Sequence, residues 1–203
     1  MNYFITAIGT DSGKTLFSAI IVEALKADYW KPIQAGSPTD TSTLRGLISN
    51  PKTHFHPEGC FLKTPASPHA AASVEGLTLK AGDLKIPVSE RTLIIEGAGG
   101  LLVPINDHEY IADLPQLWKI PLILVANLYL GSINHTLLSI EYLKSKNIEV
   151  SGIVFNGESN AESERIILQK SGFKVLLRIP KIEKINKSVV RQLADEFLKN
   201  WNE

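Results

Sequence analysis

The sequence has one cysteine, no surplus of either charge and no long hydrophobic run. Because Cys60 stands alone, an internal disulfide is excluded and a reducing compartment is expected. Lys plus Arg and Asp plus Glu number 21 each, so no net basic field attracts nucleic acid or an anionic membrane. No run approaches the roughly 18 apolar residues of a membrane span. The start, MNYFITAIG, lacks the basic segment of a secretory signal. We therefore predict a cytoplasmic protein that binds neither nucleic acid nor membrane.

The chain instead alternates between two kinds of segment. Nearly continuous apolar runs predict strands buried on both faces of a parallel sheet: YFITAI (3–8), TLIIEGAG (92–99), LILVAN (122–127), GIVFN (152–156) and KVLLRIP (174–180). Segments with helical spacing lie between and after them: 14–27, 133–146, 161–172 and 187–201. Prolines interrupt 36–90, where we predict no long element. This pattern predicts one α/β domain over residues 1–203, a mostly parallel, doubly wound sheet with helices on both faces.

Residues 9–15, GTDSGKT, resemble a phosphate-binding P-loop between the first strand and the first helix. In a P-loop, Gly and four further residues precede Gly-Lys-Ser/Thr, whereas this loop is one residue shorter. Its backbone N–H groups and Lys14 would bind phosphates, and the Thr15 hydroxyl would bind Mg²⁺. The alternative is a glycine-rich turn that caps a helix, with Lys14 in solvent. The predicted nucleotide contacts from the loop are Gly9, Thr10, Asp11, Ser12, Gly13, Lys14 and Thr15.

Two carboxylates are candidate metal ligands. Mg²⁺ bound with a nucleotide takes one or two protein oxygens plus phosphate and water. Glu96 ends the apolar stretch LIIE at the expected ligand edge of the sheet, and the glycines after it let backbone approach a ligand closely. A simple pairing of Glu96 with a lysine is the alternative. Asp40 is either a second carboxylate ligand or the N-cap of a helix that starts near Thr41.

Lys31 lies in YWKPIQAG (29–36), which we interpret as another strand running into a Gly turn. By itself, such a lysine would merely extend its ammonium to solvent. His54, His56 and His108 look like loop residues with no metal-binding spacing.

Six segments together resemble the dethiobiotin synthetase family: GTDSGKT (9–15), KPIQAG (31–36), PASPHAA (65–71), IIEGAGGLLVPI (94–105), LGSINHTLLS (130–139) and GIVFN (152–156). The resemblance covers roughly residues 1–180 in the family's order and spacing. It implies a P-loop fold, a homodimer and a ligase (cyclo-ligase) of biotin biosynthesis. In that reaction 7,8-diaminopelargonate, CO₂ or bicarbonate and Mg·ATP give dethiobiotin, ADP and phosphate.

The resemblance also assigns roles to positions in this chain. It implies Mg²⁺ ligation by Thr15, Asp40 and Glu96, catalytic roles for Lys31, Lys14 and Ser12, and contact of Asn156 with the adenine edge. Substrate contacts would come from Ser67, Gly97, Gly99, Ser132, Ile133 and Asn134. In the same segments, a structural His69 bonded to backbone is the preferred interpretation. His135 is either near the substrate or a helix-surface residue.

The turn LGSINH (130–135) precedes a predicted helix. Free N–H groups of Ser132, Ile133 and Asn134 at the positive end of that helix would form an anion site suited to the substrate carboxylate. The resemblance implies that the neighbouring subunit supplies this site. The alternative is that Ser132 simply N-caps the helix.

Two departures from the family pattern stand out. The family loop usually has two more residues between Ser12 and Gly13, so fewer N–H donors predict weaker or less selective nucleotide binding. Ala35 stands where a Ser or Thr is common in the family, so the comparison with the family pattern implies one substrate hydrogen bond fewer. Two other functions stay open. One is a regulatory ATPase switch of the partition or septum-positioning type, against which the neutral charge speaks. The other is a non-catalytic nucleotide binder.

Overall fold

The computed structural model describes residues 1–201. The strands in this part of the chain are Asn2–Ala7 (β1), Asp28–Trp30 (β2), Ile33–Ala35 (β3), Cys60–Leu62 (β4), Leu93–Glu96 (β5), Leu122–Asn127 (β6), Val150–Asn156 (β7) and Val175–Ile179 (β8). The α-helices are Lys14–Leu25 (α1), Asp40–Leu47 (α2), Pro68–Val74 (α3), Asp113–Trp118 (α4), Ser132–Ser145 (α5), Ala161–Ser171 (α6) and Lys187–Trp201 (α7).

Six strands form one sheet in the order β2-β5-β1-β6-β7-β8. Every neighbouring pair in this sheet is parallel, so the predicted α/β fold with a parallel sheet is confirmed. Ile5 of β1 is in register with Glu96 of β5, which places that glutamate near the carboxyl end of the central strand. Among residues 1–201, no helix has both the length and the apolarity needed to cross a bilayer.

Each face of the sheet is covered by its own helices, as a doubly wound fold requires. Successive residues of a strand point to opposite faces, so Phe4 packs in one core and Ile5 in the other. Phe17 of α1 meets Phe197 of α7 in the second core, with ring centroids 5.8 Å apart. Burial on both faces explains why these strands read as continuous apolar runs.

The connections of the sheet fix where a ligand site can form. From β1 the chain passes through α1 to β2 on one side, whereas from β6 it passes through α5 to β7 on the other. Adjacent strands whose connections diverge leave a crevice at their carboxyl ends, and open α/β proteins bind ligands there. The loop between β1 and α1 lies at this point.

The stretch YWKPIQAG differs from the prediction of one strand. The chain leaves the main sheet after Trp30 and enters a second, two-stranded parallel sheet at Ile33. Lys31 and Pro32 form the break, since proline has no N–H to continue a ladder. Region 36–90 contains short elements only, as predicted, but its strand β4 pairs with β3 and was not foreseen.

Candidate active site

The loop from β1 to α1 has the geometry that a P-loop motif requires. Gly13 is the N-cap of α1 with φ of 97°, a left-handed conformation that favours glycine. A Cβ there would lie 2.3 Å from Asn156 Nδ2, and this amide nitrogen donates to Ser12 O over 3.0 Å. No side chain caps α1, so its first N–H groups remain for an anion.

Lys14 begins α1 and is buried, so the interpretation as a solvated lysine is wrong. It is 7% exposed, and its Nζ donates to Gly9 O over 3.2 Å. Burial and, to a lesser degree, the nearby Lys31 ammonium lower the pKa of Lys14 to about 8, although the surrounding carboxylates act in the opposite direction. Because the Lys14 ammonium is hydrogen-bonded to the loop that precedes it, it is well placed to bind phosphate oxygens held by that loop.

A compact charged cluster lies next to the loop. Lys31 Nζ lies 3.1 Å from Glu96 Oε1, 2.5 Å from Asp40 Oδ2 and 3.0 Å from Gly97 O. Thr15 Oγ1 lies 3.0 Å from Asp40 Oδ1 and 3.0 Å from Glu96 Oε1. Four residues that come from four separate segments of the sequence are thus held in mutual contact.

Burial and neighbouring charges shift the pKa values of Lys31 and Asp40 in opposite directions. Lys31 is 3% exposed and Glu96 is 0% exposed. Burial alone would lower the pKa of Lys31, but Glu96 and Asp40 raise it above its ordinary value. Burial would raise the pKa of Asp40, but Lys31 lowers it. Lys31 therefore carries a proton inside the protein, and the expectation that it extends to solvent is wrong. The pairing of Glu96 with a lysine, one of the two interpretations, is present.

Two further residues support the carboxylates and were not singled out from the sequence. Tyr29 Oη donates to Glu96 Oε2 over 3.0 Å, and Gln34 Oε1 accepts from Asp40 N over 3.0 Å. Burial raises the pKa of Tyr29 well above its ordinary value, and the charge of Glu96 adds to this, so the phenol stays a donor. The only sequence signal for Tyr29 was its spacing of two residues from Lys31, which puts both on one face of an extended chain.

The structure also corrects the alternative role of Asp40. Thr39, with extended backbone, is the N-cap of α2, and its Oγ1 accepts from Ser42 N over 3.1 Å. Asp40 is the first residue of the helix. Its carboxylate is free of capping and points to Lys31 and Thr15.

The cluster opens on a cavity of about 710 Å³. Sequence-predicted site residues on its wall are Thr10, Asp11, Gly13, Lys14, Thr15, Lys31, Asp40, Ser67, Glu96 and Gly99. Much of the remaining wall of the cavity is formed by apolar and amide groups, from Ile33, Gln34, Ala35 and Val103. The cavity thus combines two lysines and three acidic residues with an apolar side.

Three predicted residues near the cavity do not line it. Ser12 is 1% exposed, and its Oγ lies 3.5 Å from Thr10 O. A Cβ on Gly97 would meet Phe4 and Ile111 at 3.0 Å, and one on Gly100 would lie 3.1 Å from Gly9 Cα. At 97 and 100, glycine thus serves packing within the protein rather than approach to a ligand. Gly9 does not line the cavity either, and a Cβ on it would meet only Ser12 Oγ, at 3.9 Å, so packing does not require glycine there.

Asn156 ends β7 beside a second cavity of about 410 Å³. This cavity has a mostly apolar wall that includes Leu128, Phe155, Ile179 and Pro180. The side-chain nitrogen of Asn156 supports the loop through Ser12 O, which leaves its amide oxygen as an acceptor.

Ser67 and His69 form a pair at the rim of the main cavity. Ser67 Oγ and His69 Nδ1 lie 3.1 Å apart. The ring of His69 is exposed and bonds to a side chain, so the expectation of a backbone-bonded ring is wrong.

The start of α5 lies apart from this cavity and has a different geometry from the one predicted. Gly131, with φ of 103°, is the N-cap, and Ser132 N donates to Tyr129 O over 2.9 Å. The expected free N–H of Ser132 and its alternative role as N-cap are therefore both wrong. Within residues 1–201, Ile133 N and Asn134 N have no acceptor. His135 lies on the exposed surface of the helix and bonds to the hydroxyl of Tyr129.

The donor set fits Mg²⁺ held together with a nucleotide. In the part of the chain that the structure describes, no three His, Cys, Asp or Glu side chains form a metal cluster. Mg²⁺ needs no such cluster, since it is usually bound through one or two carboxylates while phosphates and water complete its shell. Asp40, Glu96 and the Thr15 hydroxyl are hard oxygen donors of this kind.

Comparison with known proteins gives close matches over the whole chain. A family model described as an AAA domain matches residues 1–189. The ATP-dependent dethiobiotin synthetase BioD of Cytophaga hutchinsonii is 55% identical over 203 residues, covering 99% of this chain and 98% of that protein. The protein of the same name from Christiangramia forsetii is 49% identical over 200 residues, with 98% and 96% covered.

Solved structures of other ATPases share the fold. The ParA family ATPase of Chlorobium tepidum has a TM-score of 0.61 at 12% identity, covering 97% of this chain and 98% of that one. The septum site-determining protein MinD of Pyrococcus horikoshii, complexed with Mg-ADP, has a TM-score of 0.57 at 16% identity, with 97% and 96% covered. At such identities the likeness is one of fold alone.

Proposed function

Because the chain belongs to the family of ATP-dependent dethiobiotin synthetases, we propose that it closes a cyclic urea from a vicinal diamine at the expense of ATP. The substrates are 7,8-diaminopelargonate, CO₂ or bicarbonate, and ATP, and the products are dethiobiotin, ADP and phosphate. The protein is a ligase, and residues 1–203 act as one domain. A cytoplasmic location accords with the lone Cys60.

One observation carries this proposal: Lys14, Lys31, Thr15, Asp40 and Glu96 converge on one cavity. Transfer of a phosphoryl group demands mainly positioning and neutralisation of charge. A carbamate formed on one substrate amine attacks the γ-phosphate, and the second amine then opens the mixed anhydride. Negative charge develops in both steps, and the ammonium groups of Lys14 and Lys31 are placed to stabilise it. No residue needs to form a covalent bond, so Cys60 has no role.

The lysines have separate tasks in this scheme. Lys14, at the start of α1, binds the β- and γ-phosphates together with the N–H groups of the loop. Lys31 lies deeper, next to Glu96 and Asp40, and stabilises the charge shared by the carbamate and the transferred phosphoryl group. Mg²⁺, held by Thr15, Asp40 and Glu96, supplies further charge neutralisation on the phosphates when bound. Ser12, beneath the loop, shapes its backbone.

The nucleotide base extends from the loop towards the end of β7. The apolar cavity beside Phe155 and Pro180 has room for a purine ring. The amide oxygen of Asn156, left free by its bond to the loop, accepts from the exocyclic amine of adenine.

The diamine occupies the side of the main cavity lined by Ser67, Gly99 and Val103. Its distant carboxylate needs an anion site, which the free N–H groups at the start of α5 provide. These groups do not line the main cavity of the same chain. A homodimer in which one subunit lends α5 to the other resolves this separation, and exposed Tyr129, Leu130 and Leu138 supply an apolar contact.

Release of phosphate from Mg·ATP that depends on 7,8-diaminopelargonate tests the function. We expect turnover only with the diamine and a CO₂ source, with dethiobiotin identified by mass spectrometry. Phosphate release stimulated by DNA or lipid vesicles instead would point to a regulatory switch. No release under either condition would leave a nucleotide binder without catalysis.

A further inference from the structure

Within residues 1–201, the Tyr29 hydroxyl is the sole hydrogen-bond partner of Glu96 Oε2. Tyr29 Oη donates to Glu96 Oε2 over 3.0 Å, and both residues are 0% exposed. The other oxygen, Oε1, accepts from Lys31 and Thr15. The two oxygens of this carboxylate therefore face different surroundings: one is held inside the core, and the other faces the cavity.

This division fixes the orientation of the carboxylate. A buried carboxylate oxygen without a partner is not compensated for its lost solvation, so rotation of Glu96 away from Tyr29 is disfavoured. A ligand carboxylate that is hydrogen-bonded from behind is held in the direction in which it must bind a metal. The bond thus selects the conformation that presents Oε1 to Thr15.

The ring of Tyr29 is itself held by packing. It lies against Phe55, with ring centroids 6.0 Å apart, and the guanidinium carbon of Arg45 lies 4.4 Å above the Phe55 ring. Arg45 belongs to α2, the helix whose first residue is Asp40. Tyr29 therefore has contacts that lead to both candidate metal carboxylates, directly to Glu96 and through Phe55 and α2 to Asp40.

We propose that Tyr29 is a positioning residue for the metal site: its hydroxyl orients Glu96 so that Oε1 is presented for Mg²⁺. This role rests on the proposed function, because it concerns the same nucleotide and metal site. Tyr29 touches neither the nucleotide nor the metal in this scheme, since it does not line the main cavity. Removal of the Tyr29 hydroxyl should weaken the binding of the metal ion and leave nucleotide binding in the absence of metal unchanged.

The test is Tyr29→Phe, which removes only the hydroxyl, with Mn²⁺ as the probe. Electron paramagnetic resonance of free Mn²⁺ during titration in the presence of saturating ADP gives the dissociation constant of the metal. We expect this constant to rise at least about tenfold, as for other residues that support metal ligands. Calorimetric binding of ADP in EDTA should stay within about twofold of wild type, because the loop and Lys14 are unchanged.

Tyr3→Phe is the matched control, since Tyr3 is also a buried tyrosine and its hydroxyl bonds to Met1 Sδ, far along β1 from the loop. It should leave both constants unchanged. If Tyr29→Phe does not fold, as judged by circular dichroism, Phe55→Ala takes its place. That variant frees the tyrosine ring and should also weaken Mn²⁺ binding.

Four outcomes decide the proposal. A Mn²⁺ constant within about twofold of wild type in the folded variant overturns it, as does equal weakening of metal and metal-free ADP binding. Wild-type protein that binds no Mn²⁺ with ADP overturns the metal site and this role together. If the wild-type protein binds Mn²⁺ tightly but releases no phosphate with the diamine, the proposed reaction alone is refuted. Weaker Mn²⁺ binding in Tyr29→Phe would then still support the positioning role.

Discussion

Lys31 Nζ lies 3.1 Å from Glu96 Oε1, and both side chains are shielded almost completely from solvent. The pair joins the segment that follows β2 to the end of β5, which are neighbours in the sheet. Neither residue can be removed without leaving the other charged and buried. Substitution at either position should therefore affect both the chemistry and the stability.

Lys31→Ala should lower kcat by on the order of 10²-fold or more, because it removes a cation that acts on the transferred phosphoryl group. It should also lower the free energy of unfolding by about 3 kcal/mol, since Glu96 loses its buried partner. Steady-state kinetics and urea unfolding measure the two effects. Lys184→Ala, on the exposed surface, is the control. A kcat within about threefold of wild type would end the catalytic assignment.

Glu96→Gln keeps the shape of the side chain but removes its charge. We expect turnover at saturating Mg²⁺ to collapse while the fold survives, since an amide is a poor ligand for a hard cation. Activity measured against Mg²⁺ concentration, with circular dichroism as a check on folding, gives the answer. Glu149→Gln, exposed and outside the cavity, should behave as wild type. An unchanged Mg²⁺ dependence in Glu96→Gln would make Glu96 a structural residue.

Acid should destabilise the protein partly through Glu23. Burial alone would raise the pKa of Glu23, but N–H groups of Ser49 at 2.7 Å and Asn50 at 3.1 Å, helped by Lys26, lower it. The folded state therefore resists protonation more than the unfolded chain does. Stability from this group is present above the ordinary pKa of 4.5 and is lost as pH falls through the lower folded value.

Glu23→Gln tests this linkage. At pH 7 the variant should be less stable by about 1–3 kcal/mol, because charge-assisted hydrogen bonds become neutral ones. The difference from wild type should shrink as the pH falls below the ordinary value. Urea unfolding at several pH values gives both curves, and curves that stay parallel would rule out this contribution of Glu23.

Asn134→Asp should repel the substrate carboxylate from the start of α5. The new charge suits a helix N-terminus, so the fold should tolerate it. It should raise KM for 7,8-diaminopelargonate at least about tenfold and leave KM for ATP unchanged. Asn186→Asp makes the same change at Asn186, which accepts from Ser188 N and Val189 N at the start of α7, and should have no effect. Equal changes in the KM values for 7,8-diaminopelargonate and ATP would show that the start of α5 does not bind the substrate carboxylate.

Mixed dimers test whether α5 acts across a subunit interface. Asn134→Asp and Glu96→Gln are each defective, but a dimer of one subunit of each kind has one site intact at both positions. After random exchange, activity should recover to about a quarter of wild type, because half of the dimers are mixed and each has one good site of two. Recovery is absent if each subunit uses its own α5. Co-purification through two different tags confirms that mixed dimers have formed.

The short loop predicts low affinity for ATP without the diamine and weak selectivity between bases, since fewer backbone N–H groups face the phosphates. Lys14, whose pKa burial lowers to about 8, adds less charge than a fully solvated lysine would at alkaline pH. Calorimetric titration with ATP and GTP checks this expectation. Tight binding with strong preference for adenine would contradict it.

The sequence predicts the sheet well because its strands are buried on both faces, which leaves a strong apolar signal. It predicts the loop because GTDSGKT lies between a strand and a helix. It fails where tertiary contacts decide. Pro32 is a local signal for a break in the strand, but no local signal indicates that the chain then joins a second sheet, or that Ser132 N donates to Tyr129 O. Thr39 rather than Asp40 caps α2, since neighbouring residues with similar capping strength compete and packing selects one.

The contact of Asn156 with the loop has a consequence for the order in which the protein can mature during synthesis. Its amide reaches Ser12 O across 144 positions of sequence. The loop is therefore made early on the ribosome, while the strand that braces it is synthesised only when about three quarters of the chain has been translated. Until β7 docks, ATP has an incompletely supported site and can contribute little to stabilising the nascent chain. Protection by nucleotide should begin only with chains that extend past β7.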